Sequence, residues 1–305
     1  MSHATPTRIV YFGTDAFSVP PLIRLIADGW NIIAVVTKPD SPTGRGRKIT
    51  APAVKRLAEA SNIPVLQPNS LKDITTQLKD LKADLGIVVA YGKIIPQSVL
   101  DLFPLGLLNI HASLLPRFRG ASPIESALLE GDSETGITLM RIDAGLDTGP
   151  TYDTARLQLD GTENREQLYE QLAEMGAELL AAQLPAIVSG QVVPLPQDNA
   201  QATEVGRINK SDGIIDWARP AEIIERQIRA YLGWPGSRTT IAGTDAAITK
   251  AHLSRDAGSP GKAFVKDGQL GVYAGSGSII IDEIKPAGSR TMPARDFLAG
   301  HQITD

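Results

Sequence analysis

Residues 8–37 read RIVYFGTDAFSVPPLIRLIADGWNIIAVVT, and this stretch decides the fold. Its first part, 8–13, is β-branched and aromatic and ends in glycine, which is typical of a buried strand. Residues 20–29 have apolar side chains at helical spacing, and 31–37 are again a continuous apolar run. A strand, a helix and a second apolar strand open a parallel α/β sheet. The turn after the first strand lacks the GxGxxG pattern, so the sequence favours a Rossmann-like topology without a dinucleotide.

The same alternation continues along the first two thirds of the chain. It predicts a Rossmann-like, mostly parallel sheet domain over residues 1–189. A capping box is predicted at SPIE, with Ser122 as the helix cap, Pro123 at the first helical position and Glu125 three residues after the cap. Further predicted strands are 65–67, 85–90, 107–111 and 136–142, and further helices are 52–61, 74–81, 123–130 and 163–187.

The remainder of the chain predicts a second, smaller domain. Residues 190–207 are polar, contain prolines and lack periodicity, so they are interpreted as a linker. Residues 208–305 contain one short helix and several short strands separated by Gly and Ser, which indicates an OB-like antiparallel β-barrel. The helix is predicted over 222–230 and the strands over 238–241, 246–253, 271–273 and 278–284.

Composition narrows the classes of function. The 305 residues include no cysteine, which excludes disulfides and thiolate nucleophiles, and the four scattered histidines disfavour a metal site. No apolar run approaches the ~20 residues of a membrane helix, so we expect a cytoplasmic protein with no membrane partner. The net charge is −4, yet the part after residue 206 carries 13 Lys and Arg against 11 Asp and Glu. A mildly basic C-terminal third is either a solvated surface or a surface for a polyanion.

Candidate catalytic residues lie in residues 107–120, LLNIHASLLPRFRG. Asn109 and His111 occupy alternate positions of a short apolar strand, so both project from one face. Acyl transfer needs a donor for the developing oxyanion, a group that moves a proton, and a carboxylate beside the imidazole. Asp147, in the turn DAGLDTGP, could supply the carboxylate, and the sequence has no GxSxG elbow for a covalent intermediate. The alternative is a core histidine and an ordinary turn-forming Asp.

A basic loop at residues 38–50, KPDSPTGRGRKIT, interrupts the first domain. It carries Arg45, Arg47 and Lys48. A loop of this length inside a domain is uncommon unless it has a function or is disordered. It is either a mobile surface loop or a loop that contacts a phosphate backbone.

The runs NIHASLLPRFRGASPI, which begins at Asn109, and GLDTG at 145–149 closely resemble the folate-dependent formyltransferases. GRGRK after TKPD, VVAYG at 88–92 and INKSDGIIDW at 208–217 are similar to the branch of that family that acts on methionyl-tRNA. The resemblance covers nearly the whole chain. It implies that Asn109, His111 and Asp147 are the catalytic residues, and that the formyl donor is 10-formyltetrahydrofolate.

The resemblance also implies binding residues. Ser113, Leu114, Leu115 and Pro116 correspond to the folate-binding loop of the family. Arg45 corresponds to a position that touches the acceptor stem of the initiator methionyl-tRNA, beside Arg47 and Lys48 in the same loop. Phe17 corresponds to an aromatic residue that lines the methionine pocket, and the C-terminal barrel would lie along the tRNA. The first turn departs from the family pattern, because Asp15 stands where a proline is common.

Two enzymes of the same chemistry compete with this interpretation. An aminosugar-nucleotide formyltransferase is disfavoured by GRGRK and the DTG turn, and glycinamide ribonucleotide formyltransferase by the extra hundred residues after the linker. From another class, a non-catalytic RNA- or nucleotide-binding module would not need Asn109, His111 and Asp147 together. We expect a monomer.

Overall fold

The structure is a computed structural model in which residues 6–43 and 48–303 are described. The chain forms two compact units that alternate along the sequence. Unit 1 consists of Met1–Gly120, Thr135–Leu157 and Tyr169–Glu204, and unit 2 consists of Ala121–Glu134, Gln158–Leu168 and Val205–Asp305.

The helices and strands are numbered here in chain order. They are β1 (Arg8–Gly13), α1 (Val19–Ala27), β2 (Asn31–Val36), β3 (Ser41–Thr43), β4 (Lys48–Thr50), α2 (Ala53–Ala60), β5 (Val65–Leu66), α3 (Thr75–Asp80), β6 (Leu85–Val89), α4 (Gln97–Leu100), β7 (Leu107–His111), β8 (Arg119–Gly120), α5 (Pro123–Glu130), β9 (Glu134–Arg141), β10 (Thr151–Gln158), α6 (Arg165–Val188), β11 (Glu204–Val205), α7 (Ala221–Ala230), β12 (Ser237–Ile241), β13 (Thr244–Ser254), β14 (Ala263–Lys266), β15 (Gln269–Tyr273), β16 (Ser278–Pro286), β17 (Met292–Pro293) and α8 (Ala294–Leu298).

Unit 1 is organised by a seven-stranded sheet with the order β10-β9-β7-β6-β1-β2-β5. The β1–β2, β1–β6, β2–β5 and β6–β7 pairs are parallel, and the β7–β9 pair is antiparallel. This confirms the predicted mostly parallel α/β sheet. From β1 the chain builds outward first through β2 and β5 and then through β6 and β7, so the topology reverses between β1 and β6. In open α/β sheets, ligands bind outside the carboxyl ends of the strands near such a reversal.

The long helix α6 packs closely on strand β7. Gly176 makes this approach possible, because a Cβ at that position would lie 2.7 Å from Cγ2 of Ile110. The helix is present as predicted, and its leucines at 172, 180 and 184 are buried in the core. Burial of a full leucine side chain is worth about 1.5–3 kcal/mol, so these leucines stabilise the packing of α6.

Unit 2 contains the predicted antiparallel sheet. Its strands follow the order β12-β13-β16-β15-β14, and β17 pairs with β16. The core is built largely from isoleucines of α7 and the sheet. Those fully or almost fully buried are Ile224, Ile228, Ile248, Ile279, Ile281 and Ile284.

A helix cap, a hairpin and a strand are among the local features that differ from the sequence-based expectations. The capping box at Ser122 is wrong: its side chain does not cap α5, because its hydroxyl donates instead to the carbonyl of Gly206 at 2.6 Å. The ends of the basic loop pair as a short antiparallel hairpin, β3–β4. The sequence did not predict β10, because its residues TYDTARLQ alternate between partly buried and exposed positions with few apolar side chains.

The segment predicted as a linker lies along unit 1 up to residue 204. Leu195 pairs with Thr151 at the start of β10, and the N–H of Arg119 donates to the carbonyl of Thr203. No helix within residues 6–43 and 48–303 is both long and apolar enough to cross a bilayer.

Candidate active site

His111 is the last residue of β7 and lies at the carboxyl edge of the parallel strands. Its side chain is 6% exposed. Nε2 lies 2.9 Å from the carbonyl oxygen of Phe118, and since a carbonyl can only accept, Nε2 carries a hydrogen. The other ring nitrogen, Nδ1, lies 3.7 Å from Oδ2 of Asp147. The imidazole is therefore held by one nitrogen, while the other faces a carboxylate.

Asp147 is presented by a tight turn between β9 and β10. Its own φ is 52°, in the left-handed region, and its Oδ2 accepts a hydrogen bond from the N–H of Gly120 at 2.9 Å. Asp143 organises the turn: its Oδ1 accepts from the N–H of Gly145 at 3.0 Å and from the hydroxyl of Thr148 at 2.7 Å. One backbone N–H and the turn geometry thus aim the Asp147 carboxylate at His111.

Asn109 lies two residues before His111 on β7, so the two side chains share a face of the strand. It sits in the sheet between Val88 of β6 and Met140 of β9 and is partly exposed. Its side-chain amide makes no hydrogen bond to another residue in 6–43 or 48–303. The amide N–H groups are consequently available to a bound molecule at this edge.

The loop after His111 is tied to β9 by Thr138. The Thr138 hydroxyl donates to the carbonyl of Ser113 at 2.7 Å and accepts from the N–H of Leu115 at 3.1 Å. The hydroxyl of Ser113, itself buried, donates to the carbonyl of Arg117 at 2.6 Å. Ser113 therefore shapes the loop from inside, whereas the next three residues of the predicted folate set, 114–116, are partly exposed.

Phe17 follows β1 at the same edge of the sheet, in a short 3-10 helix. Its ring is buried and packs edge-to-face on Tyr169 with the centroids 5.2 Å apart. The hydroxyl of Tyr169 donates to the carboxylate of Asp15, which also accepts from the N–H of Phe17 at 3.4 Å. Asp15 stands where a proline is common in the family, and its carboxylate thus provides a hydrogen bond that holds Tyr169 against Phe17.

The predicted tRNA-contacting residues are only partly described. Lys48 is exposed at the start of β4. Arg45 and Arg47 lie outside the described residues. The hairpin brings the two ends of the basic loop together, because Thr43 pairs with Lys48.

Two residues that the sequence did not predict join this site. Arg119, 4% exposed, donates to the side-chain oxygens of Gln197 and Asn199, and Gln197 in turn donates to the backbone of the Asp147 turn. Arg119 stands inside the run that carried the resemblance, so it could have been selected there. Gln197 lies in a polar segment without periodicity, and no local signal marks it.

These groups suit acyl transfer. A partly exposed amide and an imidazole nitrogen lie at the same edge of the sheet, and the carboxylate of Asp147 lies 3.7 Å from that nitrogen. Such a set can stabilise a developing oxyanion and move a proton.

Comparison with known proteins agrees with this chemistry. The formyl transferase family model matches residues 7–184, and that of the formyl transferase C-terminal domain matches residues 207–302. The fold is thus that of an enzyme that transfers formyl groups, and the chain belongs to the formyl transferase family.

Relatives within the family are similar over the full length. The methionyl-tRNA formyltransferase of Trichlorobacter lovleyi is 40% identical over 303 residues, which covers 98% of this chain and 96% of the relative. The methionyl-tRNA formyltransferase of Geobacter metallireducens is 42% identical over 299 residues, with 97% and 96% covered.

Solved structures share the fold at lower identity. An N-formyltransferase from Helicobacter canadensis, in complex with folinic acid and dTDP-3-aminofucose, is 20% identical with a TM-score of 0.71, covering 92% of this chain and 100% of that one. HypX from Aquifex aeolicus in complex with tetrahydrofolic acid is 17% identical with a TM-score of 0.68, covering 96% of this chain and 47% of that one.

Proposed function

We propose that the protein transfers the formyl group of 10-formyltetrahydrofolate to the α-amino group of methionine on initiator methionyl-tRNA. The observation that carries the chemistry is the position of His111, with Nε2 on the Phe118 carbonyl and Nδ1 3.7 Å from the Asp147 carboxylate. Full-length similarity of about 40% to methionyl-tRNA formyltransferases supports the choice of acceptor.

In this reaction the amine nitrogen attacks the formyl carbon, and the formyl oxygen becomes an oxyanion. Since Nε2 of His111 is occupied by the Phe118 carbonyl, Nδ1 is the nitrogen that serves the reacting group. At 3.7 Å from Asp147, the Nδ1–H of a protonated ring is within the field of the carboxylate yet is not consumed by a hydrogen bond to it. Asn109 supplies a second donor to the oxyanion.

Collapse of the tetrahedral intermediate breaks the bond between the formyl carbon and the folate nitrogen. The leaving nitrogen needs a proton, and the attacking amine must lose one. His111 and Asp147 are the adjacent groups able to pass that proton. Removing a single oxyanion donor typically costs about 10²- to 10³-fold in rate, so each group makes a measurable contribution.

The folate would bind along the loop after β7. Leu114, Leu115 and Pro116 are partly exposed and offer an apolar surface for a flat pterin, with Ser113 shaping the loop beneath them. Folate use is supported by the family and by the folinic acid and tetrahydrofolic acid bound to structural neighbours.

The tRNA would meet the chain in two places. Arg45, Arg47 and Lys48 of the basic loop are proposed to contact phosphates of the acceptor stem, and Phe17 is proposed to shape the methionine pocket. The catalytic domain would span residues 1–189, joined by 190–207 to a tRNA-binding domain over 208–305. We further propose that the protein acts as a cytoplasmic monomer.

The acceptor is tested by offering the purified protein 10-formyltetrahydrofolate together with one of three amines. These are initiator methionyl-tRNA, elongator methionyl-tRNA and a dTDP-linked aminosugar. The proposal expects formyl transfer to the initiator tRNA with a kcat/KM at least 10²-fold above that for either alternative. Preferential formylation of the aminosugar would contradict it, as would tRNA binding without turnover.

A further inference from the structure

We propose that Gln197 and Arg119 are positioning residues that hold the Asp147 carboxylate at its working distance from His111. This inference rests on the proposed function of the site. It assigns a role in catalysis to the segment after α6, outside the two sequence runs that supply the catalytic residues.

The side chain of Gln197 is hydrogen-bonded to the backbone of the turn that carries Asp147. Its Nε2 donates to the carbonyl of Asp147 at 2.8 Å and to the carbonyl of Gly149 at 2.7 Å. The two bonds straddle Thr148 and fix both sides of the turn. The turn is also tightly packed, because a Cβ on Gly149 would lie 1.8 Å from the carbonyl oxygen of Arg141.

Arg119 sets the orientation of the Gln197 amide. Its Nε and Nη2 lie 3.0 and 2.8 Å from Oε1 of Gln197, and Nη2 also lies 2.8 Å from Oδ1 of Asn199. A guanidinium has only donors, so the amide oxygen must face it and the amide nitrogen must face the two turn carbonyls. Arg119 is 4% exposed, and none of the ion pairs in the described part of the chain includes it. The amide oxygens of Gln197 and Asn199 therefore accept the hydrogen bonds of this buried guanidinium. Moving either oxygen would leave a buried charged donor without a partner, which is energetically costly.

The segment after α6 also binds the residues that hydrogen-bond to His111 and Asp147. Thr203 accepts the N–H of Phe118 at its hydroxyl, at 2.9 Å, and the N–H of Arg119 at its carbonyl, at 2.8 Å. Phe118 supplies the carbonyl for His111, and Gly120 supplies the N–H for Asp147. Gln197, Asn199 and Thr203 thus hold the short segment 118–120, and this segment supplies the hydrogen-bond partners of both the imidazole and the carboxylate.

Substitution of Gln197 separates its two roles. Gln197→Ala removes both contacts, whereas Gln197→Glu keeps an acceptor for Arg119 and places a carboxylate oxygen against the two turn carbonyls. We expect both variants to lower kcat by 10- to 100-fold while KM for tRNA and folate stays within threefold of wild type. Gln201→Ala is the matched control, because Gln201 lies in the same segment and, within the described part of the chain, its side chain hydrogen-bonds only to the exposed Asp198. It should keep wild-type kcat.

A double-mutant cycle with Asp147→Asn distinguishes positioning from a general structural effect. If Gln197 acts through the Asp147 charge, Gln197→Ala should lower the single-turnover rate at least tenfold in the wild-type background and less than threefold in the Asp147→Asn background. Equal losses in both backgrounds, or a wild-type rate for Gln197→Ala and Gln197→Glu, would overturn the proposal. If Gln197→Ala does not fold, Gln197→Glu, which retains a partner for Arg119, replaces it in the cycle.

Failure of the proposed function gives a different result. In that case wild type itself does not formylate methionyl-tRNA, and the cycle is run with whichever amine the wild-type protein formylates. The coupling between Gln197 and Asp147 is then read from that reaction.

Discussion

Replacing Asp147 by asparagine removes one charge and leaves the size and shape of the side chain. In the wild-type protein, Oδ2 of Asp147 accepts a hydrogen bond from the N–H of Gly120 and lies 3.7 Å from Nδ1 of His111. With an effective dielectric constant of about 20–40, two unit charges at this separation interact by about 2–4 kcal/mol. His111 is 6% and Asp147 20% exposed, so solvent screens the pair only in part.

That energy converts directly into an expected rate. If the imidazolium exists in the transition state, Asp147→Asn should lower the single-turnover rate by about 30- to 1000-fold, since 1.36 kcal/mol corresponds to a factor of ten. The assay is rapid-quench formylation of initiator methionyl-tRNA at saturating folate. Asp153→Asn is the matched control, because the Asp153 carboxylate accepts from Gln183 and, among the described residues, makes no hydrogen bond or ion pair with any of the three proposed catalytic residues. A rate for Asp147→Asn within threefold of wild type would refute the role of the charge.

Three further predictions address binding and stability. Thr138→Val removes the hydroxyl that links Ser113 to Leu115, and the loss of about 1–3 kcal/mol of hydrogen bonding should raise KM for folate about 5- to 160-fold. A folate KM unchanged within twofold would contradict this role of the loop. Arg45→Ala should raise KM for tRNA more than KM for folate in steady-state assays; equal changes would return the loop to a simple surface role. Burial raises the pKa of Tyr91 to about 12, and its hydroxyl has no partner among the described residues. Tyr91→Phe should therefore raise the free energy of unfolding by about 1 kcal/mol at pH 7 in urea titrations. The difference in the free energy of unfolding between Tyr91→Phe and wild type should increase towards pH 11, because the wild-type phenol ionises near pH 10 in the unfolded chain and only at higher pH in the folded one. A lower free energy of unfolding for Tyr91→Phe at pH 7 would contradict this prediction.

The elements predicted well from the sequence are those in which local pattern and tertiary burial agree. Strand β7 reads as an apolar run with polar residues at alternate positions, and α6 carries leucines at helical spacing. His111 could be selected because it was the one histidine inside an apolar element. The resemblance to the folate-dependent formyltransferases implies that His111 and Asp147 lie close together, and the structure places Nδ1 of His111 3.7 Å from Oδ2 of Asp147.

The features that the sequence did not predict depend on contacts between distant parts of the chain. Gln197 reaches an Asp147 turn about fifty residues earlier, and neither segment shows periodicity. Ser122 has the local pattern of a helix cap, but its hydroxyl bonds to Gly206, 84 residues away. Side-chain hydrogen bonds of this kind leave no signal in propensity or spacing, because any polar residue of suitable length satisfies the same pattern.

The central claim is that His111 takes part in formyl transfer to methionyl-tRNA. The most direct measurement is the single-turnover rate of His111→Ala with 10-formyltetrahydrofolate and charged initiator tRNA, alongside folate binding by isothermal calorimetry. The account predicts a rate at least about 10³-fold below wild type, with the folate Kd and the melting temperature near their wild-type values. A His111→Ala rate within tenfold of wild type would contradict it.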